Sequence, residues 1–133
     1  MTKKNNQVCI MSIKPKFFNL ISEGNKLVEY RKVSPKKTSK IYLYVSRPVK
    51  RICGIIEVEK IETGTIQEIW SKTKKISGIE SSEYFDYCGN KETITALYIE
   101  KFTPIKATLP STLISNFRAP QNYFYHEEFS TLV

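Results

Sequence analysis

The chain has 133 residues, of which 41% are hydrophobic and 26% charged, a mix that suits one ordinary folded domain and excludes a disordered tail. No run approaches the roughly 20 apolar residues of a membrane helix, and the apolar stretch at residues 8–11 is too short for the core of a signal peptide, so neither membrane insertion nor secretion is expected. The net charge of +8 is lopsided: residues 1–60 carry 14 basic and 4 acidic side chains, residues 61–133 carry 7 and 9, and a one-sided positive field favours polyanionic partners.

Residues 1–7 are polar and basic and predict a frayed arm. Residues 8–12 read as a strand. Pro15 suits the first position of a helix, where its missing N–H has no partner to lose. Phe17, Leu20 and Ile21 continue one helical face, and Gly24 can end it with left-handed backbone. Residues 26–32 alternate as a strand, and residues 33–39, with Pro35 and several lysines, form a loop. Lys40–Val45 is a strand with Ile41, Leu43 and Val45 on one face and Tyr42 and Tyr44 on the other.

Ser46-Arg47-Pro48 is turn chemistry, and residues 51–61 form a long strand in which Gly54 marks a bulge or a close backbone approach. Thr65-Ile66-Gln67-Glu68 is a capping box, and Ile66, Ile69, Trp70 and Thr73 share the face of the helix it opens; Trp70 is expected in the core. A lysine-rich linker leads to a short helix over Ser81–Cys88, stopped by Gly89-Asn90. A strand over 93–100, an extended stretch over 104–110 and an aromatic extended segment over 117–125 follow. Residues 126–133, including the single histidine His126, form a tail, so the domain is expected to span residues 8–125.

Five or six strands with three short helices inserted between them predict an α+β fold. A curved sheet or small barrel fits this order better than a doubly wound parallel sheet. The three cysteines, Cys9, Cys53 and Cys88, are odd in number and widely spaced, which supports neither a disulfide framework nor a zinc site and points to a reducing, cytoplasmic setting. With no glycine-rich phosphate loop, no nucleotide cofactor is expected.

Gly24-Asn25-Lys26-Leu27-Val28-Glu29-Tyr30-Arg31 fits the pattern Gly-x-Lys-x-x-Glu-x-Arg at the junction of helix and strand. It resembles the signature of the ASCH family, a branch of the PUA-like superfamily. Ser12-Ile13-Lys14-Pro15, Tyr44-Val45-Ser46-Arg47-Pro48-Val49 and Gly54-Ile55-Ile56-Glu57-Val58 resemble the family's successive segments. Pro120-Gln121-Asn122-Tyr123 resembles the Pro-Gln-Ser-Phe element of its longer members. The resemblance implies a PUA-like barrel of five or six strands flanked by short helices, with a cleft lined by the motif residues. It also implies a role in RNA binding, in regulation, or in enzymatic action on modified nucleosides or RNA.

Glu29 and Arg31 lie two apart on a strand and share a face, so the guanidinium holds the carboxylate ionised and oriented. Strict alternation puts Lys26 on the opposite face; its convergence with the other two is implied by the family alone. The expected binding set is Lys26, Glu29, Arg31, Tyr44, Ser46, Arg47, Gln121 and Tyr123. Cationic heads suit phosphates or base acceptors, a carboxylate accepts from an exocyclic amine, and Tyr42, Tyr44 or Tyr123 could stack on an unpaired base.

Three readings follow. The first is a cytoplasmic module binding RNA or a modified nucleotide. The second is a hydrolase of modified nucleosides or a ribonuclease, with Lys26 and Glu29 as its catalytic residues. Relatives resembling N4-acetylcytidine amidohydrolases carry a threonine where this chain has Glu29, and a separate glutamate for which Glu80 and Glu83 are the candidates. Arg31 would also hold the Glu29 pKa down and oppose its use as a base. The third is an interaction or regulatory domain in which the motif only stabilises the barrel; taken by itself, the motif could also be no more than a surface ion pair on an edge strand, worth about 0–1 kcal/mol. No metal or membrane partner is expected, and the oligomeric state stays open.

Overall fold

The structure, a computed structural model, describes residues 7–35, 40–114 and 117–127; the expected basic loop at Lys36 and Lys37 and most of the expected arm and tail lie outside these. Six strands, β1 (Gln7–Ile13), β2 (Val28–Arg31), β3 (Lys40–Val45), β4 (Arg51–Thr65), β5 (Thr93–Thr108) and β6 (Tyr123–Glu127), combine with three helices, α1 (Pro15–Ser22), α2 (Ile66–Thr73) and α3 (Ser81–Cys88). The architecture is α+β. β1 pairs with β3 in parallel and the other neighbours are antiparallel, in the order β2-β5-β4-β3-β1-β6. β6 continues through His126 and Glu127, beyond the expected start of the tail.

That order has two ends, so the strands do not pair into the closed barrel expected from the resemblance. The sheet curls until β2 faces β1, and a side chain spans the gap in place of a backbone ladder: an Nη of Arg31 donates to the Ser12 carbonyl at 2.9 Å.

Local chemistry sets the element ends. Pro15 opens α1, and Gly24 beyond its end takes a φ of +80° while its N–H reaches the Ile21 carbonyl. Thr65 and Glu68 cap α2 reciprocally. The second and last long strands run further than expected, β4 to Thr65 and β5 through Pro104 to Thr108. Pro104 is tolerated because it sits opposite Gly54, where the β4 register shifts and a ladder N–H is dispensable. A Cβ on Gly54 would come within 2.6 Å of the Phe102 ring, so the glycine supplies both the bulge and the close approach.

Period-two alternation sorts the strands among three cores. Cys9, Met11, Ile13, Ile41, Leu43 and Val45 fill the inside of the curl. Ile10, Tyr42 and Tyr44 pack outside it, under Leu113, Ile114 and Phe117. Val28 and Tyr30 of β2 join Ile69, Tyr84 and Cys88 beneath α2 and α3, where Trp70 stacks on Tyr84 at 4.6 Å. One face of β2 is thereby used for packing. Its other face, carrying Glu29 and Arg31, is left for the gap in the sheet.

Candidate functional site

β2 ends the ladder, yet all four of its residues are buried. An Nη of Arg31 donates to Glu29 Oε2 at 2.7 Å and to the Ser12 carbonyl, and its other Nη donates to Asn122 Oδ1 at 2.8 Å. Lys26 joins them because it precedes the strand: it lies in the turn that Gly24 opens, its N–H held by the Leu20 carbonyl at 3.1 Å, so alternation along β2 does not govern its direction. Its ammonium stands 3.8 Å from Glu29 Oε1, donates to the Ser77 carbonyl at 3.1 Å and lies over the rings of Tyr30 and Phe17 at 4.9 and 5.4 Å. Lys26, Glu29 and Arg31 are 1%, 5% and 8% exposed, so the motif is not a surface ion pair.

The wall behind Lys26 comes from the lysine-rich linker, to which sequence reasoning gave no duty. Ser77 is buried there, its hydroxyl bridging the Lys74 and Ile79 carbonyls. Gly78 has a φ of +71°, and a Cβ on it would meet the Asn25 carbonyl at 2.7 Å and Lys26 Cβ at 3.0 Å. Only glycine lets this loop close on the lysine. The Ser-Gly pair between two helices was the available signal, as turn chemistry.

Burial pulls the Lys26 pKa below the ordinary lysine value, and the attraction of Glu29 only partly offsets it. The Nε–H of Arg31 is buried with no acceptor among the described residues. Burying the three groups together carries a desolvation cost, which hydrogen bonds to Ser12, Ser77 and Asn122 partly offset.

Above them opens a cleft of about 1410 Å³. Lys26, Glu29 and Arg31 form its floor, and Tyr44, Ser46, Arg47 and Gln121 also line it. Tyr123 is not brought to it: that side chain packs against the inner core and its hydroxyl donates to the Ser34 carbonyl at 3.0 Å. Tyr42, weighed as a stacking ring, is buried in the outer core, and the buried Tyr44 packs against Phe117 at 5.1 Å.

Sequence reasoning did not single out Lys14, Lys32, Lys50, Lys91, Tyr87 or Asn122, which also line the cleft. Asn122 carried a signal, since it stands inside the Pro-Gln-Asn-Tyr segment. That segment is strapped across the gap by the Ser12 hydroxyl to the Pro120 carbonyl at 2.6 Å and the Ser12 N–H to the Asn122 carbonyl at 2.8 Å. Lys14 likewise stands inside Ser12-Ile13-Lys14-Pro15, whereas Lys32, Lys50 and Lys91 carried no such signal, because they come from separate loops that only the fold gathers. Of the two candidate glutamates, Glu83 lines the cleft and pairs with Lys16 at 2.7 Å, while Glu80 only precedes α3. Among the described residues, the lining holds seven cationic side chains against three carboxylates, a field suited to an anionic ligand. Among the described residues no group of three or more His, Cys, Asp or Glu is placed to hold a metal, and no helix is long and apolar enough to cross a membrane.

The chain is similar to known proteins in sequence and in fold. The family model of the ASCH domain matches residues 11–106. A Zymomonas mobilis protein named ASCH domain-containing ribonuclease is 30% identical over 131 residues, spanning 93% of this chain and 88% of that protein. The Ureaplasma parvum large ribosomal subunit protein uL22 is 34% identical over 83 residues, which span 62% of this chain and 27% of that longer protein. The crystal structure of the Zymomonas mobilis ASCH protein superposes with a TM-score of 0.84 at 26% identity, covering 94% of this chain and 90% of that one. A tyrosine-to-phenylalanine mutant of it gives 0.85, covering 91% of each. A family model matched over most of the domain and a relative aligned over nearly its whole length show that this chain belongs to the ASCH domain family.

Proposed function

We propose that the chain is a cytoplasmic RNA-binding protein that takes a single-stranded segment, or one modified nucleotide, into the cleft above Lys26, Glu29 and Arg31. The observation that carries this reading is a net-positive cleft, large enough for a nucleotide, that opens over a buried carboxylate flanked by two cations. In it the exposed Lys14, Lys32, Arg47, Lys50 and Lys91 neutralise phosphates, Ser46 and Gln121 offer hydrogen bonds to base edges, and the ion-paired floor fixes their spacing. Three free cysteines with no disulfide suit a reducing compartment. The test is fluorescence anisotropy of a short labelled single-stranded RNA over a series of salt concentrations. If all five rim cations engage phosphates, log K falls against log salt with a slope near −3.5. A flat dependence overturns the reading.

A second reading, hydrolysis, is favoured by one observation: the relative aligned over almost its full length is named a ribonuclease. Here Lys26, whose ammonium is destabilised by burial, and Glu29 are the catalytic candidates. Their depth suits a small nucleoside better than a strand, because the ammonium is almost wholly buried against two aromatic rings. Incubation with RNA and with N4-acetylcytidine, for wild type and Lys26→Met, decides it. Turnover that vanishes in the variant supports this role, and turnover that persists assigns the chemistry elsewhere.

A further inference from the structure

We propose that Tyr87 is the base-stacking platform of the cleft, holding one unpaired RNA base against its exposed ring; this rests on the RNA-binding reading. Among the described residues, five aromatic side chains line the cleft: Phe17, Tyr30, Tyr44, Tyr87 and Phe117. Tyr30 and Tyr44 are buried, Phe17 packs against the inner core and Phe117 against the outer one. Tyr87 differs from them: it is 39% exposed and belongs to none of the three core clusters. The ring is nevertheless held in place. It projects from the last turn of α3 to the end of β2, where the Lys32 ammonium lies 5.0 Å from its centroid. A planar ring that lines the cleft, is partly exposed and has a cation 5.0 Å from its centroid is what an unpaired base stacks on, and stacking tolerates any base because each has a π-face.

The charges beside it assign the base, rather than the phosphate, to this wall. Glu83 and Asp86 of the same helix line the cleft and repel a phosphate close to the ring. Arg47 and Lys50, in the turn between β3 and β4, track the backbone together with the other rim cations. The strand therefore enters with its bases turned toward α3.

The test measures binding of a short single-stranded RNA and of an abasic phosphodiester oligomer of equal length, for wild type, Tyr87→Ala, Tyr87→Leu and Tyr87→Phe. Thermal unfolding of each variant checks that the fold is retained, which the side chain's place outside the cores favours. Wild type is expected to prefer the base-bearing RNA. Tyr87→Ala and Tyr87→Leu are expected to lose roughly 5- to 150-fold of that affinity without weakening on the abasic oligomer, and Tyr87→Phe to restore most of it. Equal affinity of wild type for the two oligomers, or wild-type affinity in Tyr87→Ala, overturns the platform and leaves RNA binding standing. Absence of salt-dependent binding to either oligomer overturns both.

Discussion

Two clusters in this protein have nearly the same inventory. Glu29 is flanked by Lys26 and Arg31, with the Lys26 ammonium over the Tyr30 ring at 4.9 Å. Glu62 is flanked by Lys60 and Lys72 at 3.7 and 2.6 Å, with the Lys60 ammonium over the Tyr98 ring at 5.1 Å. The difference is water. Both lysines around Glu62 are more than half exposed, whereas Lys26 and Arg31 are almost sealed. The Glu62 cluster ties α2 to the sheet and could be lost to screening with little consequence. The Glu29 cluster costs desolvation, leaves one Arg31 donor unpaired and holds the open edge of the sheet against β1. Ion pairs placed so expensively at a gap in a sheet act as positioning elements for the cleft above them.

The largest break in this symmetry comes from Glu29→Gln. It leaves an ammonium and a guanidinium buried side by side without their counter-charge, a change expected to cost about 3–5 kcal/mol. For a domain of this size that lowers the melting temperature by more than about 10 °C. A loss below about 1 kcal/mol in denaturant unfolding would show the floor to be as wet as the Glu62 cluster and would remove its positioning role.

Lys26→Met sharpens the comparison through pH. Burial pulls the Lys26 pKa below its ordinary value of 10.5, so the unfolded chain holds this proton more tightly than the folded one. The resulting penalty is full below the folded pKa, shrinks as pH rises and is gone above 10.5. Burial also raises the phenols of Tyr30 and Tyr84, and these favour the folded state in full until pH passes their ordinary value of 10.0, so they are silent over most of the window. Chemical denaturation between about pH 7 and 10 should show wild type gaining stability relative to Lys26→Met as pH rises. A constant difference would mean that the ammonium is solvated.

The legible part of this molecule is the part written locally. The Thr65 and Glu68 cap, the Gly24 helix end, the two faces of Lys40–Val45 and the shared face of Glu29 and Arg31 each follow from spacing over a few residues, and each is present. What could not be read is set by distant chain. Lys26 converges on Glu29 because Ser77 and Gly78, some fifty residues away in sequence, close on it. The cleft's lysines come from four separate stretches, and the open ladder depends on Arg31 reaching Ser12 across the curl. Pro104 misled for the opposite reason: a proline breaks a strand by rule, but here a partner's bulge absorbs the missing donor.

The smallest expected effect belongs to Glu62→Gln, and its value lies in how that effect responds to pH and salt. Hydrogen bonds from Lys72 and from the Tyr98 hydroxyl, the latter at 2.8 Å, hold the Glu62 carboxyl below its ordinary value of 4.5. Its contribution is therefore present above that pH and lost as pH falls through the folded value, so wild type and Glu62→Gln should converge in acid. They should also converge at about 1 M salt, where the screening length drops to about 3 Å. The Glu29→Gln deficit should survive the same salt, because the field between its groups runs through protein rather than solvent. Equal salt sensitivity of the two deficits would mean that ions reach the floor of the cleft, and the contrast between the two clusters would then be one of packing alone.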